Sequence, residues 1–174
     1  MTIALYDAVV PTFLQLLPAV GRMLAKGAAA AAGRGLSEEA LTGARLADDM
    51  WDLAEQIGAL CVQSAGALEG ALASSFAPRY PPPPRDFAGL GALVSDAIAR
   101  IKAVPRADVE CLSGREVTLR FGDTARRFTA AGFLTGFALP NFEFHVVTAY
   151  AILRSNGVAL GKFDYLGRIP VLAD

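Results

Sequence analysis

The chain has 174 residues, with 16 Lys plus Arg against 17 Asp plus Glu, a formal net charge of -1 and only 19% charged residues. That length suits one domain, here taken as residues 1–174, able to bury a core without staples. The charge balance excludes the basic surface of a nucleic-acid binder or of a protein drawn to acidic lipid.

The first helical region is predicted to start at an N-cap Thr2. It continues through Leu5, Val9, Phe13, Leu16, Leu17, Val20 and Leu24, spaced by threes and fours. Pro11 and Pro18 interrupt that stripe, so a kink or a restart at Pro11 is expected. The alanine run closed by Gly33 and Gly35 reads as a helix end and turn. Ser37, followed by Glu38 and Glu39, caps a short helix, because its hydroxyl accepts a free amide and the acids complement the dipole.

Leu46, Met50, Leu53, Ile57, Leu60 and Ser64 mark one face of a longer second helix ending near Ala73. Trp51 lies beside that face, placed to pack on a neighbour. Pro81 to Pro84 lack amide donors and favour an extended chain, which makes 77–84 a crossover linker. Asp86 caps a third helix with Phe87, Leu90, Leu93, Val94, Ile98 and Ile101 on its apolar side, ending near Pro105. The period then changes: Val117, Leu119 and Phe121 alternate with polar residues, and Gly122-Asp123 turns the chain before 124–129, giving a β-hairpin. A final helix is predicted from about Ala130 to Ser155, stopped by Asn156-Gly157.

Between Phe128 and Leu153 the one formal charge is Glu143, so hydropathy alone would allow a membrane span. Pro140, Asn141, Glu143 and His145 near its middle argue for a helix buried in a bundle and against insertion. Cys61 and Cys111 are too few for a disulfide scaffold and not spaced for zinc, so both are expected to be buried free thiols. The opening residues lack a basic region and a cleavage site, and the expectation is a cytoplasmic protein.

Asn141, His145, Thr148 and Ile152 are separated by four, three and four, so they share a face of the last helix among apolar neighbours. His145 is either a hydrogen-bonded core residue or a ligand or general base in an internal pocket. Asp48, Asp49, Asp52, Glu55 and Gln56 form an acidic run that reads as a solvated face. Within it Asp49, at the edge of the apolar stripe, is the candidate to meet and orient His145, with Tyr150 as the other. No catalytic serine motif, phosphate-cradling loop or dinucleotide fingerprint is present.

The stretch Gly136-Phe-Ala-Leu-Pro-Asn-Phe142, with Phe144-His-Val-Val-Thr-Ala-Tyr150, Ile152-Leu-Arg154, Asn156-Gly-Val158 and Leu160-Gly-Lys162 through Asp164, resembles the signature end of a bacterial family. That family is the domain of unknown function numbered nineteen ninety-three. Leu5-Tyr-Asp7, Phe13-Leu14, Arg45-Leu-Ala47 and Asp49-Met50 are similar too, so the resemblance spans the chain. It implies the DinB-like fold, a superfamily regarded as metalloenzymes, some acting as thiol-dependent transferases or hydrolases. Metal-binding members hold the ion with one histidine on the second helix and two, spaced by four, on the last. Here those places fall to Asp49, Asn141 and His145, and an amide is a poor substitute for imidazole toward zinc or nickel.

The expected fold is therefore mainly α, a DinB-like four-helix bundle with a β-hairpin inserted before the last helix. The expected function is a metal-free, cofactor-free bundle, expected to form a homodimer, whose polar row is structural or binds a small molecule. The alternative is a metal-dependent or thiol-dependent transferase. Candidate catalytic residues are His145, Asp49 and Tyr150. Candidate ligand-binding residues are Asn141, His145, Thr148, Lys162 and Asp164, the last two on a tail that either pairs at the surface or folds back beside His145.

Overall fold

In the computed structural model, which describes residues 3–171, the first bundle helix is α1 (Leu5–Gly33). It does not restart at Pro11. That proline and Asp7, whose carbonyl it leaves without an amide partner, both stand on the exposed side, while Val9, Val10, Phe13 and Leu16 bury the opposite side. The expected cap at Thr2 lies outside the described residues. Glu110, distant in sequence, takes the amides of Leu5 and Tyr6 at 3.2 Å each. By length and composition α1 could cross a membrane; here its apolar face forms the bundle core.

Ser37 caps α2 (Glu38–Thr42), accepting from the Ala40 amide as expected. The second bundle helix starts later than its apolar spacing suggested. Residues 45–50 form turns, held by Arg45 bonds to the carbonyls of Asp48 and Met50, and Leu46 is exposed. Helix α3 (Leu53–Cys61) begins at Asp52, whose carboxylate accepts from Glu55 while Glu55 reaches back to the Asp52 amide. This capping box fixes the start more strongly than the stripe at Leu46 and Met50. A π-helical segment, Val62–Gly66, follows and then α4 (Ala67–Leu72).

The chain leaves through β1 (Ser75–Phe76) and the extended proline linker to α5 (Phe87–Ala103), capped by Asp86, and α6 (Arg106–Glu110). Strands β2 (Glu116–Phe121) and β3 (Thr124–Thr129) form the expected hairpin, with Phe121 opposite Thr124. Strand β1 adds to it in parallel, Phe76 opposite Leu119, giving the sheet order β1-β2-β3. It seats closely because Gly70 leaves room: a Cβ there would lie 2.8 Å from the Phe76 ring.

The last bundle helix is α7 (Ala130–Phe133), a second π-helical segment Leu134–Ala138, and α8 (Leu139–Ser155). Pro140 follows the π turn directly, where a wider turn accommodates its missing donor. Gly157, at φ +81°, ends the helix in the left-handed region. A short α9 (Lys162–Leu166) closes the described chain. Helix α1 packs on α5 and α8, and α3 packs on the same two, so α1 and α3 occupy opposite corners of the bundle. Between them Phe13 meets Phe142 edge-on at 4.9 Å, both fully buried.

Candidate functional site

His145 points inward from α8 and is 8% exposed. Its partner is Gln56 of α3, not Asp49. Gln56 turns its amide nitrogen to the Trp51 carbonyl at 3.1 Å, which leaves Oε1 facing His145 Nδ1 at 2.7 Å. A carbonyl oxygen only accepts, so Nδ1 carries the hydrogen and Nε2 keeps its lone pair. Burial pushes the imidazole down to about 4, so the ring is neutral at ordinary pH. Trp51 stacks on it at 5.9 Å with an interplanar angle of 15°, and Phe144 meets it edge-on.

Beside the ring lies a cavity of about 530 Å³, within the range of roughly 300–1,000 Å³ usual for small-molecule sites. Trp51, Tyr80, Phe121, Phe128 and Phe137 give it aromatic walls; Gln63, Asn141 and His145 supply polar atoms from the helices, and Thr124 and Arg126 stand on the hairpin side. Both π-helical segments contribute, one through Gln63 and the other through Phe137. Such turns re-aim side chains that a regular helix would place elsewhere.

Gln63 is 2% exposed and donates from Nε2 to the Tyr80 hydroxyl at 2.8 Å. Its Oε1 is sealed from water and has no partner, alone in this among the side-chain polar atoms of the described residues. An unmet buried acceptor costs about 1–3 kcal/mol. His145 Nε2 also meets no protein donor, but is not sealed and opens to accessible space.

The other expected site residues divide. Asn141 lines the cavity, donating from its amide nitrogen to the Phe137 carbonyl at 2.8 Å and keeping its own carbonyl oxygen. Thr148 is buried on the same face, but its hydroxyl donates to the Phe144 carbonyl at 2.7 Å and it does not line the cavity. Asp49 is exposed in the loop before α3, because the helix starts at Asp52, and so it does not orient His145. Tyr150 lies five residues past His145, about 140° around the helix, and packs edge-on against Tyr165.

Lys162 is exposed, and Asp164 pairs with Lys26 at 2.6 Å and caps its own helix at the Gly161 amide. The tail braces α1, where Gln15 donates to the Leu166 carbonyl, and neither residue lines the His145 cavity. Gln56 and Asp52, read as part of a solvated acidic face, are buried. Gln56 and Gln63 stand at the site without being among the expected site residues. The available signal was their spacing of seven along a helix whose same side carries Leu53, Ile57 and Leu60.

A second cavity, of about 600 Å³, lies across Trp51 and Tyr80 and is walled by Pro81 to Pro84, Cys61, Val62 and Leu93. Burial pushes the Cys61 thiol up to about 12. Cys111, expected to be buried, is exposed in the turn after α6.

Where the resemblance implies a metal, the donors are one imidazole nitrogen and neutral amides. Among the described residues no three His, Cys, Asp or Glu side chains gather to share an ion. That donor set does not fit zinc or nickel.

No curated protein matches the chain. The crystal structure of a DinB family member protein from Shewanella denitrificans is similar at 27% identity, with a TM-score of 0.83 over 98% of this chain and 96% of that one. The model of a domain of unknown function, DUF1993, matches residues 5–166. With the DinB-like helical fold already in view, that match over most of the sequence identifies the chain as a member of the DUF1993 family.

Proposed function

We propose that this DinB-like bundle is a cytoplasmic, metal-free small-molecule-binding protein, and that its ligand enters the cavity beside His145. The observation that carries the reading is a cavity of about 530 Å³ into which the imidazole offers an unpartnered Nε2. A structural histidine would have both ring nitrogens met or packed away. With its pKa held near 4 and a neutral amide as its partner, His145 is a weak base but a good hydrogen-bond acceptor, which favours recognition over proton abstraction. The donor chemistry likewise favours a metal-free pocket over a metal-dependent transferase. Two free cysteines suit a reducing compartment.

The test is a panel of neutral and anionic aromatic fragments, read by thermal shift and by emission of Trp51, the one tryptophan. Fragments are expected to perturb Trp51 in the native chain, and Thr124→Phe, which fills the hairpin side of the cavity, is expected to weaken them at least about tenfold. Native and Thr124→Phe proteins responding alike would contradict the reading. A homodimer belongs to the same proposal: Phe144 and Val147 stand exposed on α8, and analytical ultracentrifugation returning a strict monomer would remove that part.

A further inference from the structure

We propose that the cavity beside His145 takes a flat aromatic carboxylate that carries a hydroxyl or N–H donor. The inference rests on the small-molecule reading above and narrows it to a chemical class.

Three independent features of the lining lead there. Trp51, Tyr80, Phe128 and Phe137 present ring faces and edges, which favour a planar ring over a flexible aliphatic chain. On the helix side the groups that line the cavity with a free acceptor are His145, through Nε2, and Asn141, whose amide nitrogen is spent on the Phe137 carbonyl; neither acceptor meets a protein donor, so a ligand that fills the cavity has to bring the hydrogen. A ligand lacking a donor would bury His145 Nε2 unmet and would be rejected on that ground.

The third feature is charge. Arg126 is the one formally charged residue lining the cavity, and no acid stands there to repel an anion. Its neighbour Arg127 is paired with Glu116, whereas Arg126 has no carboxylate partner among the described residues. The cation lies on exposed β3 and the acceptors lie on α8, His145 buried and Asn141 half-buried. The ligand's carboxylate is therefore placed toward the hairpin and its donor toward the helices.

The experiment uses the full chain and three probes: para-hydroxyphenylacetate, para-methoxyphenylacetate and para-cresol. Binding is followed by calorimetry and by Trp51 emission. The hydroxy acid is expected to bind most tightly. Methylating its hydroxyl removes the donor and should weaken binding about tenfold or more. Removing the carboxylate should weaken it about three- to tenfold. Arg126→Gln, at an exposed strand position, should reproduce the carboxylate loss for the hydroxy acid and leave para-cresol unchanged.

Equal affinities for the three probes, or an Arg126→Gln protein that binds the hydroxy acid as before, would overturn the assignment of class while leaving a small-molecule pocket. Failure of all three probes overturns it too; if neutral fragments also leave Trp51 unperturbed, the pocket reading falls with it.

Discussion

The two cavities share Trp51 and Tyr80 as a partition and differ little in volume, about 600 against about 530 Å³. Their chemistry is opposite. Around the larger one Arg85 is held by Asp52, Arg100 by Glu69 and Asp96, and Glu55 closes the capping box. Its thiol, Cys61, is kept protonated by burial and is inert as a nucleophile. Around the smaller one His145 Nε2, Gln63 Oε1 and Arg126 have unused bonding capacity. Volume alone does not make a binding site; polar capacity held in place and left unmet does.

Asp52→Ala is the change expected to do most damage, because it disturbs both cavities at once. Asp52 is 3% exposed, caps α3 and anchors Arg85 at the end of the proline linker. Its loss should cost about 2–4 kcal/mol in urea unfolding. A cost under about half a kcal/mol would show that the partition does not depend on it.

Next in size is a pH effect confined to the smaller cavity. The folded pKa of His145, about 4, lies below its ordinary 6.5. As pH falls the unfolded chain therefore takes up the proton first, and stability present above about 6.5 is lost toward 4. The loss from this group should be roughly 2–3 kcal/mol. His145→Gln should flatten the slope of unfolding free energy between pH 6.5 and pH 4. Equal slopes in the two proteins would contradict the buried, neutral ring.

Two smaller effects mark the larger cavity as a spectator. Gly58→Leu partly fills it, since a Cβ at that position meets only Pro83, at 3.8 Å. Affinity for aromatic probes should stay within about twofold. Arg100→Met breaks exposed ion pairs with Glu69 and Asp96 and should change stability by no more than about 1 kcal/mol.

Where local chemistry acted alone, the sequence was readable. Ser37 and Asp86 cap where their neighbours need them, and the alternation of Val117, Leu119 and Phe121 with the Gly122-Asp123 turn locates the hairpin to the residue. Apolar spacing misled where a cap competed with it: Leu46 and Met50 continue the stripe of α3, yet the Asp52–Glu55 box starts the helix.

The site was only half legible. The spacing of Asn141 and His145 put both on the cavity side, but Thr148, on the same row, spends its hydroxyl within its own helix. The partner of His145 was out of reach because Gln56 stood in an acidic run, and the register that joins α3 to α8 is set by tertiary packing. The π-helical turns that bring Gln63 and Phe137 to the cavity leave no periodic signature over five residues.

His145 is the one histidine in the chain, so nitrogen–proton correlation NMR of its imidazole reads a single ring. The account predicts a hydrogen on Nδ1 and a bare Nε2 from about pH 7 down to about pH 5, with the Nε2 signal moving when para-hydroxyphenylacetate is added. A hydrogen on Nε2, an imidazolium at neutral pH, or an Nε2 signal indifferent to that probe would contradict it.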